Sequence, residues 1–499
     1  MWIMEDTPGE PVSAGRRRWW TLLAVSTAQL LVVLDGTIVN IALPSAQRAL
    51  DMSDASRQWA VTAYALAFGG LLLIGGRVSG ALGHRRTFRI GLLGFAVASA
   101  LGGAAGNPEM LFGARALQGV LAALLAPAGL ALLTITFTEA RERGRAFGVF
   151  AAVGAAGSAL GLVAGGLLTE YVSWRWCLYI NVPLALLAVA GTALVPLDRP
   201  ARDGGRLDVA GALLSAAGFA ALVYGFNEAE PYGWGSARVL APLVGGVALV
   251  AAFVVVESRA SHPLLPLRVL VHRARGAAFV AITLLFVAMF GFYLFMSYYT
   301  QTVLGYSPVE AGLTLIINAV AALLGSTLIA GKLHGRVPPA ALILPGLLAA
   351  AAGMFLLTWL TADSSHILPL YLTPALVLTG LGLGCVMPPT ASLATADMPW
   401  RDIGAASAAY NAAQQLGAAL GTALLNTVAA SAAASYLARP GHRTPTAATV
   451  HGYTTALTVA FGILLGAACV VALLTATGRR GTRTPVTGHD RAEEAAPLS

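Results

Sequence analysis

Apolar runs of about twenty residues, the length a helix needs to cross the hydrocarbon core of a bilayer, recur along the whole of this chain. Fourteen stretches stand out: 19–43, 59–80, 88–106, 111–136, 146–169, 176–196, 208–227, 238–257, 277–303, 310–330, 341–361, 368–390, 403–430 and 452–476. Breaks are expected at Pro44, Asn107-Pro108, Pro196, Pro231, Pro338-Pro339, Pro369, Pro399 and Pro440, where proline bends or ends helices. The pattern predicts an all-α polytopic membrane protein with fourteen transmembrane helices.

Composition agrees. Hydrophobic residues make up 57% of the 499 positions and charged residues 11%, against about 25% charged in an ordinary soluble protein. The net charge of +8 is better explained by the positive-inside rule than by nucleic-acid binding. With the N-terminus inside, the inner segments collect Arg16, Arg17, Arg18, Arg85, Arg86, Arg141, Arg143 and Arg145 among many others. The outer segments hold only Arg48, Arg57, Arg175, Arg238, Arg439 and Arg443. An even number of spans then puts both termini in the cytoplasm. The first apolar run is too long for a cleaved signal of about 7–15 apolar residues. Cys177, Cys385 and Cys469 lie far apart in apolar stretches, so packing is expected of them rather than disulfides or a metal.

A short internal repeat points to two related halves. Gly76-Arg77-Val78-Ser79-Gly80 follows the second span and Gly331-Lys332-Leu333-His334-Gly335 follows the tenth; repeated halves are common in transporters. The organisation expected is a tail over 1–18, a six-helix half over 19–198, and a linker with two extra helices over 199–276. A second six-helix half over 277–476 and a cytoplasmic tail over 477–499 follow.

The chemistry concentrates at few positions. Asp35 is the one acid deep inside a span, and intramembrane carboxyls usually mark ion or substrate pathways. The alternative is a carboxyl that fixes its helix by hydrogen bonds. Arg115 is the deep cation and must face protein or a wet cavity; Gln118 lies on its helical face. Gly154, Gly157, Gly161 and Gly165 form one stripe on the fifth span, either for tight packing or for a sliding contact between halves. Phe286, Phe290 and Tyr293 share a face of an aromatic-rich ninth span and are candidates to line an apolar cavity, unless they contact lipid. Asn40, Asn318, Asn411 and Gln415 are neutral polar candidates for the same cavity, with interhelical hydrogen bonding as the alternative.

These residues resemble the major facilitator superfamily, specifically its fourteen-helix drug:proton antiporter branch. The resemblance runs through Leu34-Asp35-Gly36-Thr37 to Pro44, Trp59 to Tyr64, Arg115-Ala116-Leu117-Gln118-Gly119, and Trp174-Arg175-Trp176 with Ile180-Asn181-Val182-Pro183. It implies a major facilitator fold of two six-helix halves plus two inserted helices, with Asp35 and Arg115 in proton coupling. It also implies gating and packing roles for Gly76, Gly83, Arg85, Arg86, Gly157, Gly161 and Gly165. Two positions depart from the family pattern: Gly80 stands where an aspartate is usual, and Leu162 where the fifth-helix motif has proline.

An ATP engine is excluded within the chain. A P-loop needs Gly-Lys-Ser/Thr, and the single lysine, Lys332, precedes Leu333. No zinc-protease motif is present, so no cofactor and no enzymatic activity are expected, and a proton gradient would supply the energy. The reading is a monomeric, bacterial plasma-membrane exporter of small hydrophobic drugs or antibiotics, coupled to protons. A transporter of an endogenous metabolite or nutrient, and a non-transporting receptor on the same fold, remain as alternatives.

Overall fold

The computed structural model describes residues 12–52, 59–193, 208–260, 265, 272–360, 367–396, 398–439 and 444–476. These residues are helical almost throughout, and no β-strand occurs among them. In chain order the helices are α1 (Val12–Ala49), α2 (Trp59–Leu82), α3 (His84–Gly103), α4 (Pro108–Thr136) and α5 (Ala140–Tyr171). They continue as α6 (Trp176–Thr192), α7 (Val209–Tyr232), α8 (Ala237–Arg259), α9 (Arg273–Val303) and α10 (Val309–Leu333). The last four are α11 (Ala340–Leu357), α12 (Leu368–Thr395), α13 (Trp400–Leu437) and α14 (Pro445–Ala476). Ten of them are long and apolar enough to cross a membrane. The chain is therefore a multi-pass membrane protein.

Several expected boundaries move. Pro44 does not end α1, which runs on to Ala49; the carbonyl a proline leaves unbonded costs little where a helix is emerging into water. Helices α13 and α14 overrun the apolar windows that announced them, because alanine-rich flanks such as 429–434 propagate a helix without membrane burial. Pro108 does mark a start, at the first turn of α4, with Asn107 as its cap accepting from the Met110 N–H at 2.8 Å.

Helices α1 to α6 pack among themselves, and so do α9 to α14. The second helix of each group meets the fifth helix of the other, α2 against α13 and α10 against α5. The repeated pentapeptides sit at these two crossings. The carbonyl of Gly404 on α13 faces Gly76 so closely that neither glycine could carry a side chain, and Gly331 lies 3.6 Å, from a projected Cβ, to the Arg145 Cα on α5. The inserted helices α7 and α8 pair with each other, and α7 packs on both α2 and α13. Phe219 of α7 fills the space over Gly69, while Ala229 and Val239 cluster with Ala423 of α13.

The base of the bundle, where α1, α3, α5 and α13 begin, is tied across the two groups. Gly148 allows α5 to approach the Ser326 carbonyl in a wide π turn over Gly325–Ala330 of α10. Thr134 on α4 donates to Thr395 on α12 at 3.2 Å. His334, 6% exposed, packs on Gly144 of α5 while its Nε2 lies 3.3 Å from Ser392 Oγ of α12. In the other direction His84, bonded to Ser79 through Nδ1 at 2.7 Å, lies against Gly404 of α13. Each group thus presents a buried histidine to a glycine in the opening turns of the other group's fifth helix.

Burial first, then the Arg143 guanidinium, holds the His334 imidazole below its ordinary value. Arg145 from α5 and Lys332 and Arg336 of its own segment are the other nearby cations, and α12 contributes the neutral Ser392. Because the closed contact selects neutral His334, its contribution is full above the ordinary value of about 6.5 and is lost as pH falls below it. We predict that spin labels at Arg86→Cys and Arg336→Cys, in a background without the native cysteines, move apart on acidification. His334→Gln, which cannot titrate, should weaken the response.

Candidate functional site

The centre of the first helical group is polar. Asp35 on α1 and Arg115 on α4 are 0% and 1% exposed, and Arg115 Nη1 donates to Asp35 Oδ2 at 2.6 Å. The same Nη1 donates to Gln118 Oε1 at 2.8 Å, while Nε donates to the Ala60 carbonyl of α2 at 2.9 Å. The guanidinium lies over the Tyr64 ring, 4.5 Å from its centroid, a favourable cation–π distance. Asp35 Oδ1 accepts from Gln118 Nε2 at 3.0 Å and from Asn181 Nδ2 of α6 at 2.7 Å. Gln118 also donates to Ser99 Oγ of α3 at 2.7 Å.

Each partner is delivered by ordinary helical geometry. Arg115 and Gln118 are three residues apart and share one face of α4. Gly119, one position on, lets α2 approach to where the Ala60 carbonyl and the Tyr64 ring can reach the guanidinium; a Cβ there would stand 2.5 Å from the Tyr64 carbonyl. On the other side, α5 closes against α1 through its glycines. A Cβ on Gly157 would meet Leu30 and Val33, one on Gly161 would collide with Thr37, and one on Gly165 would press on Ile38 and Ile41. The stripe therefore packs within one group, directly behind Asp35, and is not a contact between halves. Gly144 and Gly148, earlier on the same helix, make that contact instead.

The remaining cavity candidates fall elsewhere. Gln118 belongs to the ion-pair network and not to an open cavity. Asn318, 1% exposed, donates to the Leu376 carbonyl at 3.0 Å and to Thr379 Oγ1 at 2.8 Å, and accepts from the Tyr293 hydroxyl at 2.7 Å. That makes it an interhelical knot of α9, α10 and α12, with Tyr293 committed to it. Phe286 and Phe290 stack at 5.8 Å, and Phe290 is 43% exposed. Asn411 donates to the Ser407 carbonyl one turn earlier on α13, and Gln415 is half-buried. Asn40 lies in α1, but its side chain is outside the described residues, as is that of Leu162.

The loop motif has its own geometry. Gly83 has φ of 91°, a left-handed conformation that favours glycine, and precedes the first turn of α3. Arg85 donates to the Thr192 and Ala193 carbonyls at 3.0 and 3.3 Å, satisfying the end of α6. Arg86 is exposed and Gly80 buried.

Asn181, Ser99 and Tyr64 complete the site without having been singled out as members. Asn181 carried a signal of sorts, as a buried amide inside the Ile180 to Pro183 motif. Ser99 had none.

Removing one member of a buried pair strands the other's charge, at a cost of about 3–5 kcal/mol. Asp35→Ala should therefore lower the apparent Tm in detergent markedly, and adding Arg115→Gln should recover much of the loss. A double-variant loss equal to the sum of the two single-variant losses would show that the two residues are not coupled.

The chain matches the Major Facilitator Superfamily model over residues 25–422. It is 55% identical to the puromycin resistance protein pur8 of Streptomyces alboniger, over 90% of each chain. It is 39% identical to the cephamycin export protein CmcT of Amycolatopsis lactamdurans, over 82% of this chain and 85% of the other. The tetracenomycin C resistance and export protein of Streptomyces glaucescens is 37% identical, over 84% and 78%. Among solved structures, the proton:xylose symporter XylE aligns with a TM-score of 0.60 at 17% identity, over 94% of this chain and 96% of that one. The human organic anion transporter MFSD10 gives 0.60 at 14%, over 93% and 100%; likeness at this identity speaks for the fold alone. With a model match across most of its length and relatives of this similarity, the chain belongs to the Major Facilitator Superfamily of membrane transporters.

Proposed function

We propose that this protein exports small hydrophobic drugs or antibiotics from the cell in exchange for protons, by alternating access of its two six-helix groups. The observation that carries the coupling is the fully buried Asp35–Arg115 pair, where the ordinary alternative would be an apolar core. The names of the antibiotic resistance and export relatives support the substrate class.

In this reading the base faces the cytoplasm. Arg18, Arg85, Arg86, Arg143, Arg145 and Arg336 gather there, in keeping with the positive-inside rule. All fourteen helices cross the bilayer, including the arginine-headed α3 and α5, and the protein works as a monomer with no cofactor. A proton reaching Asp35 neutralises the carboxylate and dissolves its ion pair, leaving Arg115 held by Gln118 and the Ala60 carbonyl. Helices α1 and α4 lose their strongest tie, and the balance between the two arrangements of the halves shifts. Substrate occupancy and protonation then alternate, which couples the two fluxes. Asp35 is already engaged by Arg115, so a dication would find no spare deep acid among the described residues of this group. Neutral or weakly charged compounds suit such a cavity better, with the Phe286–Phe290 stack as an apolar surface.

The test is uptake of a panel of fluorescent and antibiotic compounds into inverted membrane vesicles, where export from the cell becomes movement into the lumen, with and without a protonophore. Wild type should transport only with the gradient intact, and Asp35→Asn should fall to the level of empty vesicles while still inserting normally. Undiminished gradient-driven transport by Asp35→Asn would rule the coupling out. Movement out of the lumen only would favour a nutrient carrier.

A further inference from the structure

The Asp35 site has a problem that any proton carrier must solve. In the charged state every neighbour is a donor: Arg115 Nη1 to Oδ2, and Gln118 Nε2 and Asn181 Nδ2 to Oδ1. A protonated carboxyl carries an O–H that needs an acceptor, and burying it without one is costly. The Oδ2 face is occupied by the guanidinium, so the proton belongs on Oδ1. One of the two amides there must then turn its carbonyl toward the acid.

Gln118 is held at both ends. Its carbonyl accepts from Arg115 at 2.8 Å and its nitrogen also donates to Ser99 at 2.7 Å, so turning it would break both bonds. Asn181 is different. It is 0% exposed, and its Oδ1 is buried with no hydrogen-bond partner among the described residues. A half-turn of that amide sacrifices no other bond there. The 2.7 Å separation serves either way, with nitrogen facing a carboxylate and oxygen facing a carboxylic acid. The charged and titratable groups facing Asp35 are Arg115 from α4 and Tyr64 from α2; α3 and α6 present Ser99 and Asn181, and α5 presents glycine.

We propose that Asn181 is the positioning residue that lets Asp35 exist in both protonation states, by turning its side-chain amide from donor to acceptor when the carboxyl takes up a proton. The proposal rests on Asp35 being the proton carrier. In the step itself a proton from the aqueous phase bonds to a lone pair of Asp35 Oδ1, Asp35 becomes neutral, and Arg115 keeps its charge. The new O–H donates to Asn181 Oδ1. Asn181 heads the stretch Asn181–Thr192, just after the short turn Trp176–Tyr179. The change in Asp35 is thereby felt at the irregular start of α6.

Infrared difference spectra of the full-length protein in lipid, recorded on acidification with side-chain 13C-carbonyl asparagine, test this without altering position 181. Wild type should gain a protonated-carboxyl C=O band together with a shifted asparagine C=O band, and both should vanish in Asp35→Asn. In Asn181→Ala the carboxyl band should move to higher frequency as the O–H loses its acceptor. Asn181→Ser, whose hydroxyl both donates and accepts, should restore the band position and the wild-type pH profile of transport. A carboxyl band without an asparagine shift in wild type, or one unmoved in Asn181→Ala, overturns the role of Asn181. Absence of any carboxyl band in wild type overturns the reading of Asp35 itself.

Discussion

The bond between Asp35 and Arg115 is the constraint around which the first helical group is arranged. A carboxylate and a guanidinium this deep are tolerable only when each is paired and hydrogen-bonded, and the chain recruits every neighbouring helix to that end. Helix α1 brings the acid, α4 the cation and Gln118, α2 a carbonyl and a ring, α3 Ser99, and α6 Asn181. Helix α5 brings the absence of side chains, since only glycine lets it close behind Asp35. Packing and electrostatics are therefore one problem here: any change in the charge of Asp35 is a change in what holds six helices together.

The second group solves the corresponding problem without charge. Tyr293, Asn318 and Thr379 tie its first, second and fourth helices through neutral hydrogen bonds. Such a knot has nothing to titrate near neutral pH and no ion pair to dissolve. The two groups share an architecture and crossing pattern, yet among the described residues the fully buried ion pair lies in the first group alone.

Much of this was legible in the chain. A lone acid and a lone deep cation stand out in apolar stretches because the bilayer penalises both, so Asp35 and Arg115 announce themselves. The spacing of Gly157, Gly161 and Gly165 announces a close helix contact, and the repeat at Gly76 and Gly331 announces paired halves. What the chain does not carry is the identity of partners. A glycine stripe looks the same whether it meets α1 or α10, and an amide such as Asn318 looks the same in a knot as on a cavity wall. Ser99 was invisible for the same reason, since serine is common in membrane helices, and Tyr64 stood in the Trp59 to Tyr64 motif without any sign of its partner. Pro44 misled because a proline signals a missing hydrogen bond, which a long helix can absorb at its emergent end.

The inserted pair α7–α8 has a mechanical consequence. Where α5 meets α10, the halves touch directly from Gly148 at the base to Gly166 beside Val309 near the far end. Where α2 meets α13, direct contact includes Gly76 and Gly404, and α7 packs on both helices. A rocking motion that parts α2 from α13 must carry α7 with one of them or shear it past both. The pseudo-twofold molecule therefore has two unlike flanks, a bare joint on one side and a gasketed one on the other.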